Sequence, residues 1–142
     1  MATETAAAAA VSLRPGRDVT IISTGMMTPK AKVAAEMLAA EGIQARHIHV
    51  HTIKPLDAEP IIAAAAETAG IVTIENHSVI GGLGGAICEL LAEKCPAKVI
   101  RLGLPDCFGE SDADEAIFTK LGMNTEHVVA AAKRILDEKK PV

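Results

Sequence analysis

The sequence has no tryptophan and no tyrosine, and only two phenylalanines, Phe108 and Phe118. A core without large rings must be filled by Ala, Val, Ile and Leu, small side chains that suit helices laid closely on a sheet. The shortage of aromatics removes the stacking platforms that single-stranded nucleic acid needs. No basic stripe replaces them, because 14 Lys and Arg are scattered among 18 Asp and Glu, leaving a formal charge of −4. Both absences argue against a nucleic-acid partner. Cysteine is scarce as well: Cys88, Cys95 and Cys107 form no CxxC pair and, being odd in number, no closed disulfide framework, which points to a reduced, cytoplasmic setting. No apolar run is long enough to span a membrane. The opening Met-Ala-Thr-Glu-Thr and its five alanines lack the basic n-region of a signal peptide.

What is present suffices for one domain: 142 residues, 49% of them hydrophobic. Residues 1–10 read as a flexible leader or linker stub, and the domain is expected over 11–142. Val11 to Leu13, the Arg14-Pro15-Gly16-Arg17 turn and Val19 to Ile22 suggest a hairpin. Thr28-Pro29 opens a helix with Val33, Met37 and Leu38 at helical spacing and Glu41-Gly42 as its stop. Ala45 to Thr52 reads as a strand, Asp57 as the cap of a helix reaching Ala69, and Ile71 to Glu75 as a buried strand. A helix from Gly84 to Lys94 and a strand over Lys98 to Leu102 follow. Ser111 with Asp114 resembles a cap before a helix over Glu115 to Leu121, and the spacing from Thr125 to Leu136 predicts a last amphipathic helix. The alternation implies an α/β fold, a mostly parallel sheet of five strands covered on both faces.

The glycine-rich turn Gly81-Gly82-Leu83-Gly84-Gly85 lies at the carboxyl end of a strand and opens a helix, where backbone N–H groups can face an anion. With His77 and Ser78 it forms the candidate anion-binding or interface loop. Its spacing fits neither the dinucleotide fingerprint nor the phosphate loop, so the competing reading is close approach of the helix to the sheet or to a neighbouring domain. His47, His49 and His51 alternate along one strand and leave the same face, an outline of metal ligation that lacks further donors at motif spacing. The plainer reading puts them at an edge or under a helix, paired to polar neighbours. Adjacent His77 and Ser78 point to opposite sides and no nucleophile elbow is present, so no catalytic set is assigned. Asp112, Asp114 and Glu115 read as a dipole-stabilised helix start.

The strings DVTIISTG (Asp18 to Gly25), HTIKPLD (His51 to Asp57), IVTIENHSVIGGLGG (Ile71 to Gly85) and LGLPDCFGES (Leu102 to Ser111) resemble the C-terminal domain shared by transketolases, deoxyxylulose-phosphate synthases and the beta subunits of 2-oxoacid dehydrogenases. Within that group the chain is most similar to transketolases split into two subunits. The resemblance implies a three-layer α/β/α sandwich with a five-stranded mixed sheet, first strand antiparallel. It further implies ketol transfer between sugar phosphates in the pentose phosphate pathway, with thiamine diphosphate and magnesium held by two preceding domains or a separate N-terminal subunit. On that reading the chain is a piece of a larger homodimeric enzyme, supports assembly and is inactive alone. The alternatives are a regulatory module that takes an anion or nucleotide at the glycine turn, or the equivalent domain of one of the related enzymes.

Overall fold

The computed structural model describes residues 10–105 and 115–139. In chain order they form β1 (Val11–Arg14), β2 (Val19–Ser23), a 3-10 turn (Gly25–Met27), α1 (Thr28–Ala40), β3 (Ala45–His49), α2 (Ala58–Glu67), β4 (Ile71–Ser78), α3 (Leu83–Lys94), β5 (Val99–Leu104), α4 (Glu115–Lys120) and α5 (Thr125–Lys139). The readings placed on Cys107, Phe108, Ser111, Asp112 and Asp114 lie outside the described residues.

The five strands make one sheet in the order β1-β3-β2-β4-β5. β2 runs parallel to β3 and β4, and β4 parallel to β5, while β1 alone is antiparallel. The sequence suggested a hairpin of the first two strands, but β1 pairs instead with β3, Val11 opposite His49. The cause lies in the connection. A Cβ on Gly16 would stand 2.4 Å from the carbonyl carbon of Ala45, and Arg46 Nε donates to the Gly16 carbonyl at 2.9 Å. The chain therefore crosses tightly against the start of β3 and delivers β2 to its far side. β2 then lies between β3 and β4, every residue buried.

Side chains alternate across this central strand and feed two aliphatic cores. Ile21 joins Val19, Val72 and Ile74 beneath α1 and α5, with Phe118 of α4 at the margin. Ile22 joins Ile48 and Ile71 beneath α2 and α3, against Ile61, Ile87 and Leu91. α1 buries Ala31, Ala34, Ala35 and Leu38. Of the three residues noted at helical spacing, Leu38 is buried while Val33 and Met37 are 45% and 43% exposed. An alanine stripe brings the helix axis close to the sheet, so it occupies the inward face and turns the larger residues out.

α1 lies on one face for the step from β2 to β3 and α2 on the other for the opposite step from β3 to β4, the placement that right-handed crossovers require. Strand order thus reverses between β2 and β4. On the α1 face, Lys30 Nζ donates to both carboxylate oxygens of Glu115 (2.9 and 3.1 Å) and to Asn124 Oδ1 (2.9 Å). It also lies 5.5 Å from the centre of the Phe118 ring. One ammonium ties α1 to α4 and to the start of α5.

Candidate functional site

β4 extends to Ser78, further than its apolar run suggests, because Ser78 pairs with Leu104 and Val79 N–H donates to the Leu104 carbonyl at 3.0 Å. Ser78 Oγ accepts the N–H of Ile80 at 3.2 Å, an arrangement that fixes the turn. Gly81 then adopts φ +78°, which a side chain would resist. Gly82 occupies the N-cap of α3 and offers no side-chain cap.

The cap comes from the sheet. Glu75, completely buried, accepts Leu83 N–H on Oε1 at 2.8 Å and Gly84 N–H on Oε2 at 2.9 Å. Its charge meets the positive end of the helix dipole. An incoming phosphate would have to displace this carboxylate from the same donors.

The glycines are small because the packing is close. A Cβ on Gly82 would come within 2.0 Å of Glu75 Oε1, and one on Gly84 within 2.8 Å of Thr73 Oγ1 and of the Arg101 side chain. On Gly85 it would meet nothing nearer than the Val79 carbonyl at 3.8 Å. The loop thus brings α3 down close onto the sheet. His77 is exposed beside it and Ser78 half-buried.

Between the carboxyl ends of β2 and β4, where strand order reverses, lies a crevice of about 380 Å³ lined by Thr24, Met26, Ile53, Glu75, Asn76 and His77. Asn76 Nδ2 approaches Met26 Sδ at 2.7 Å, while Asn76 Oδ1 is buried with no hydrogen-bond partner among the described residues. A larger cleft, about 680 Å³, opens at the opposite edge between residues such as Asp18, Glu41 and Lys133 and touches none of the candidate residues.

The histidines of β3 do not act as a set. His47 is buried under α1, its Nε2 2.8 Å from Ser23 Oγ. Burial first, and the nearby His49 second, push its pKa down to about 4. His49 and His51 meet edge to face, ring centres 4.4 Å apart, near the surface. The pKa of His49 is lowered by burial and then by His51. Among the described residues, no group of three or more His, Cys, Asp and Glu could hold a metal ion. Glu75, their one buried carboxylate, is committed to α3. The described residues therefore do not fit a thiamine diphosphate and magnesium site.

The sheet order, the single antiparallel edge and the internally capped glycine turn define a three-layer α/β domain built for close packing. Residues 8–128 match the family described as Transketolase, C-terminal domain, and the chain belongs to that family. It is 46% identical, over 89% of its own length and 39% of the relative's, to the 6-deoxy-6-sulfo-D-fructose transketolase subunit SqwH of Clostridium sp. (strain MSTE9). It is 40% identical to the 1-deoxy-D-xylulose-5-phosphate synthase of Heliobacterium modesticaldum, over 88% of this chain and 20% of that one. Among solved structures it resembles a split gene transketolase described as an inactive β4 tetramer, with a TM-score of 0.85 and 45% identity over 93% of this chain and 43% of the other. The chain thus spans less than half the length of each of these relatives.

Proposed function

We propose that this chain is the assembly domain of a thiamine-diphosphate-dependent transketolase that moves a two-carbon ketol unit between sugar phosphates and is inactive by itself. The observation that carries the proposal is one of extent. The chain covers 39% of a transketolase subunit and 43% of a split-gene transketolase chain, while its described residues contain no cluster able to hold a metal. The cofactor then belongs to the remaining domains or to a separate N-terminal subunit. A homodimeric cytoplasmic enzyme of the pentose phosphate pathway is part of the same proposal.

Within it, His77, Ser78, Gly81, Gly82, Gly84 and Gly85 form an interface loop in preference to an anion site, because Glu75 already occupies the N–H groups of Leu83 and Gly84. Calorimetric titration of inorganic phosphate into the chain is expected to give no heat, and saturable heat lost on replacing Gly82 and Gly84 with Val would reverse that preference.

The function is tested by assaying ketol transfer with thiamine diphosphate and magnesium, for the chain alone and mixed with a partner carrying the other domains. Activity in the mixture only is expected. Activity of the chain alone would overturn the proposal. The 40% identity to a deoxyxylulose-phosphate synthase supports a second reading, the same domain in that enzyme. Formation of 1-deoxy-D-xylulose 5-phosphate by the mixture would select it.

A further inference from the structure

We infer that the carboxyl edge of the sheet, centred on Met26 and Ile80 and the crevice between β2 and β4, is the face on which the thiamine-binding part of the enzyme docks. The inference rests on the assembly reading above and adds to it a surface and an orientation. Three segments meet at this edge: residues 24–27 after β2, residues 50–53 at the start of the connection after β3, and residues 76–82 at the end of β4 and in the turn that follows; they contain no Asp, Glu, Lys or Arg, and Lys54 and Asp57 follow further along the second connection. Met26 and Ile80 stand out from it at 60% and 63% exposure. Large apolar residues turned to water, with charge confined to Lys54, Asp57 and Arg101 around them, have the composition of an interface centre inside a polar rim. The opposite edge differs, carrying the ion pairs Lys133–Glu41 (2.6 Å) and Lys98–Glu138 (3.4 Å).

The occupant follows from where the chain enters. β1 is antiparallel to the other strands, so its first residues lie at their carboxyl ends, Val11 opposite His49. Ala10 N–H donates to Asp57 Oδ2 at 2.9 Å, and Asp57 is the residue before α2 at that same edge. A domain preceding this one in the relatives is therefore delivered to the edge that carries Met26 and Ile80. Asn76 supplies a further sign, since its buried Oδ1 lacks a donor among the described residues, and a buried acceptor left unpaired is costly. A backbone or side-chain N–H from the docked domain entering the crevice would satisfy it.

The test uses the full chain and, as probe, the portion of the Clostridium relative that this chain does not cover, supplied as a separate polypeptide. Backbone hydrogen exchange with and without the probe is expected to show protection over 24–27, 50–53 and 76–82. Met26→Asp and Ile80→Asp should each weaken binding by about 30-fold or more, as loss of an interface anchor does. Ile80→Ala keeps the comparison readable should an aspartate disturb the turn. Met37→Asp, on the competing apolar face of α1, should leave affinity unchanged. Binding with protection on α1 or β1, and loss with Met37→Asp, would overturn the choice of face while leaving the assembly reading intact. No binding by the unmutated chain would sink both. Protection of the same turns by the chain alone as its concentration rises would make a second copy the occupant and overturn the inference.

Discussion

The carboxylate of Glu75 bridges strand and helix, each oxygen accepting one N–H from the first residues of α3, with Leu83 at 2.8 Å. Replacing it with alanine strands two donors under a packed helix. Glu75→Ala should lower unfolding free energy by about 2–4 kcal/mol, as unsatisfied buried donors cost about 1–3 kcal/mol each. Glu75→Gln, which keeps one acceptor oxygen, should cost less. Urea unfolding followed by far-ultraviolet circular dichroism measures both, and equal stability of all three proteins would refute the bridging role.

Adjacent glycines should respond with opposite signs. A Cβ at position 84 collides with Thr73 and Arg101 at 2.8 Å, whereas at position 85 its nearest neighbour is 3.8 Å away. Gly84→Ala should destabilise by about 1–3 kcal/mol through overpacking. Gly85→Ala should stabilise by about 0.5–1 kcal/mol, the ordinary gain for alanine inside a helix. Thermal midpoints decide the matter.

Burial of His47 makes stability depend on pH. Its pKa is about 4 folded and 6.5 unfolded, so between those values the unfolded chain takes up a proton that the folded one refuses. The contribution is complete above pH 6.5 and is lost as pH falls toward 4, by about 3 kcal/mol in all. His47→Gln should flatten this part of the curve, seen as a smaller difference between urea midpoints at pH 7 and pH 5. An unchanged difference would mean that His47 does not titrate as placed.

Lys30 should matter locally more than globally. Glu115 is 76% exposed in its pair with Lys30, and exposed pairs contribute little. The bond to buried Asn124 is the stronger tether. Lys30→Met should cost only about 1 kcal/mol of global stability. Amide exchange over Glu115–Lys120 should nevertheless speed up measurably. Unaltered exchange there would mean that α4 is held by Phe118 alone.

Much of this architecture was readable in the residues. The alternation of apolar runs with Pro29-started and Gly42-stopped helices gives the layers, because helical and extended periods differ. Sheet order was harder: a Pro-Gly connection signals a turn but not whether the strands it joins are neighbours, and here the contact of Gly16 with Ala45 and Arg46 decides. Asp57 stands where a cap was expected, yet its carboxylate takes Ala10 N–H instead of capping its own helix. The inward face of α1 was hidden because alanine carries little hydrophobic signal beside Val33 and Met37. Glu75 was missed for a related reason. Its clue was negative, a helix beginning at Gly82 with no Ser, Thr or Asp to cap it, which asks for an acceptor from elsewhere in the chain. The glycine turn itself was visible at once, and its partner in the sheet was not.

The last helix gives this domain a particular history during synthesis. α5 supplies Val128, Val129, Ala132 and Ile135 to the core over β2 and β4, strands made more than fifty residues earlier. Until those residues leave the ribosome, the face that α5 shares with α1 stays only partly covered, while the α2 and α3 face can already close. The domain therefore matures only after nearly all of this stretch has been translated, and its half-covered intermediate is the form that a chaperone would meet.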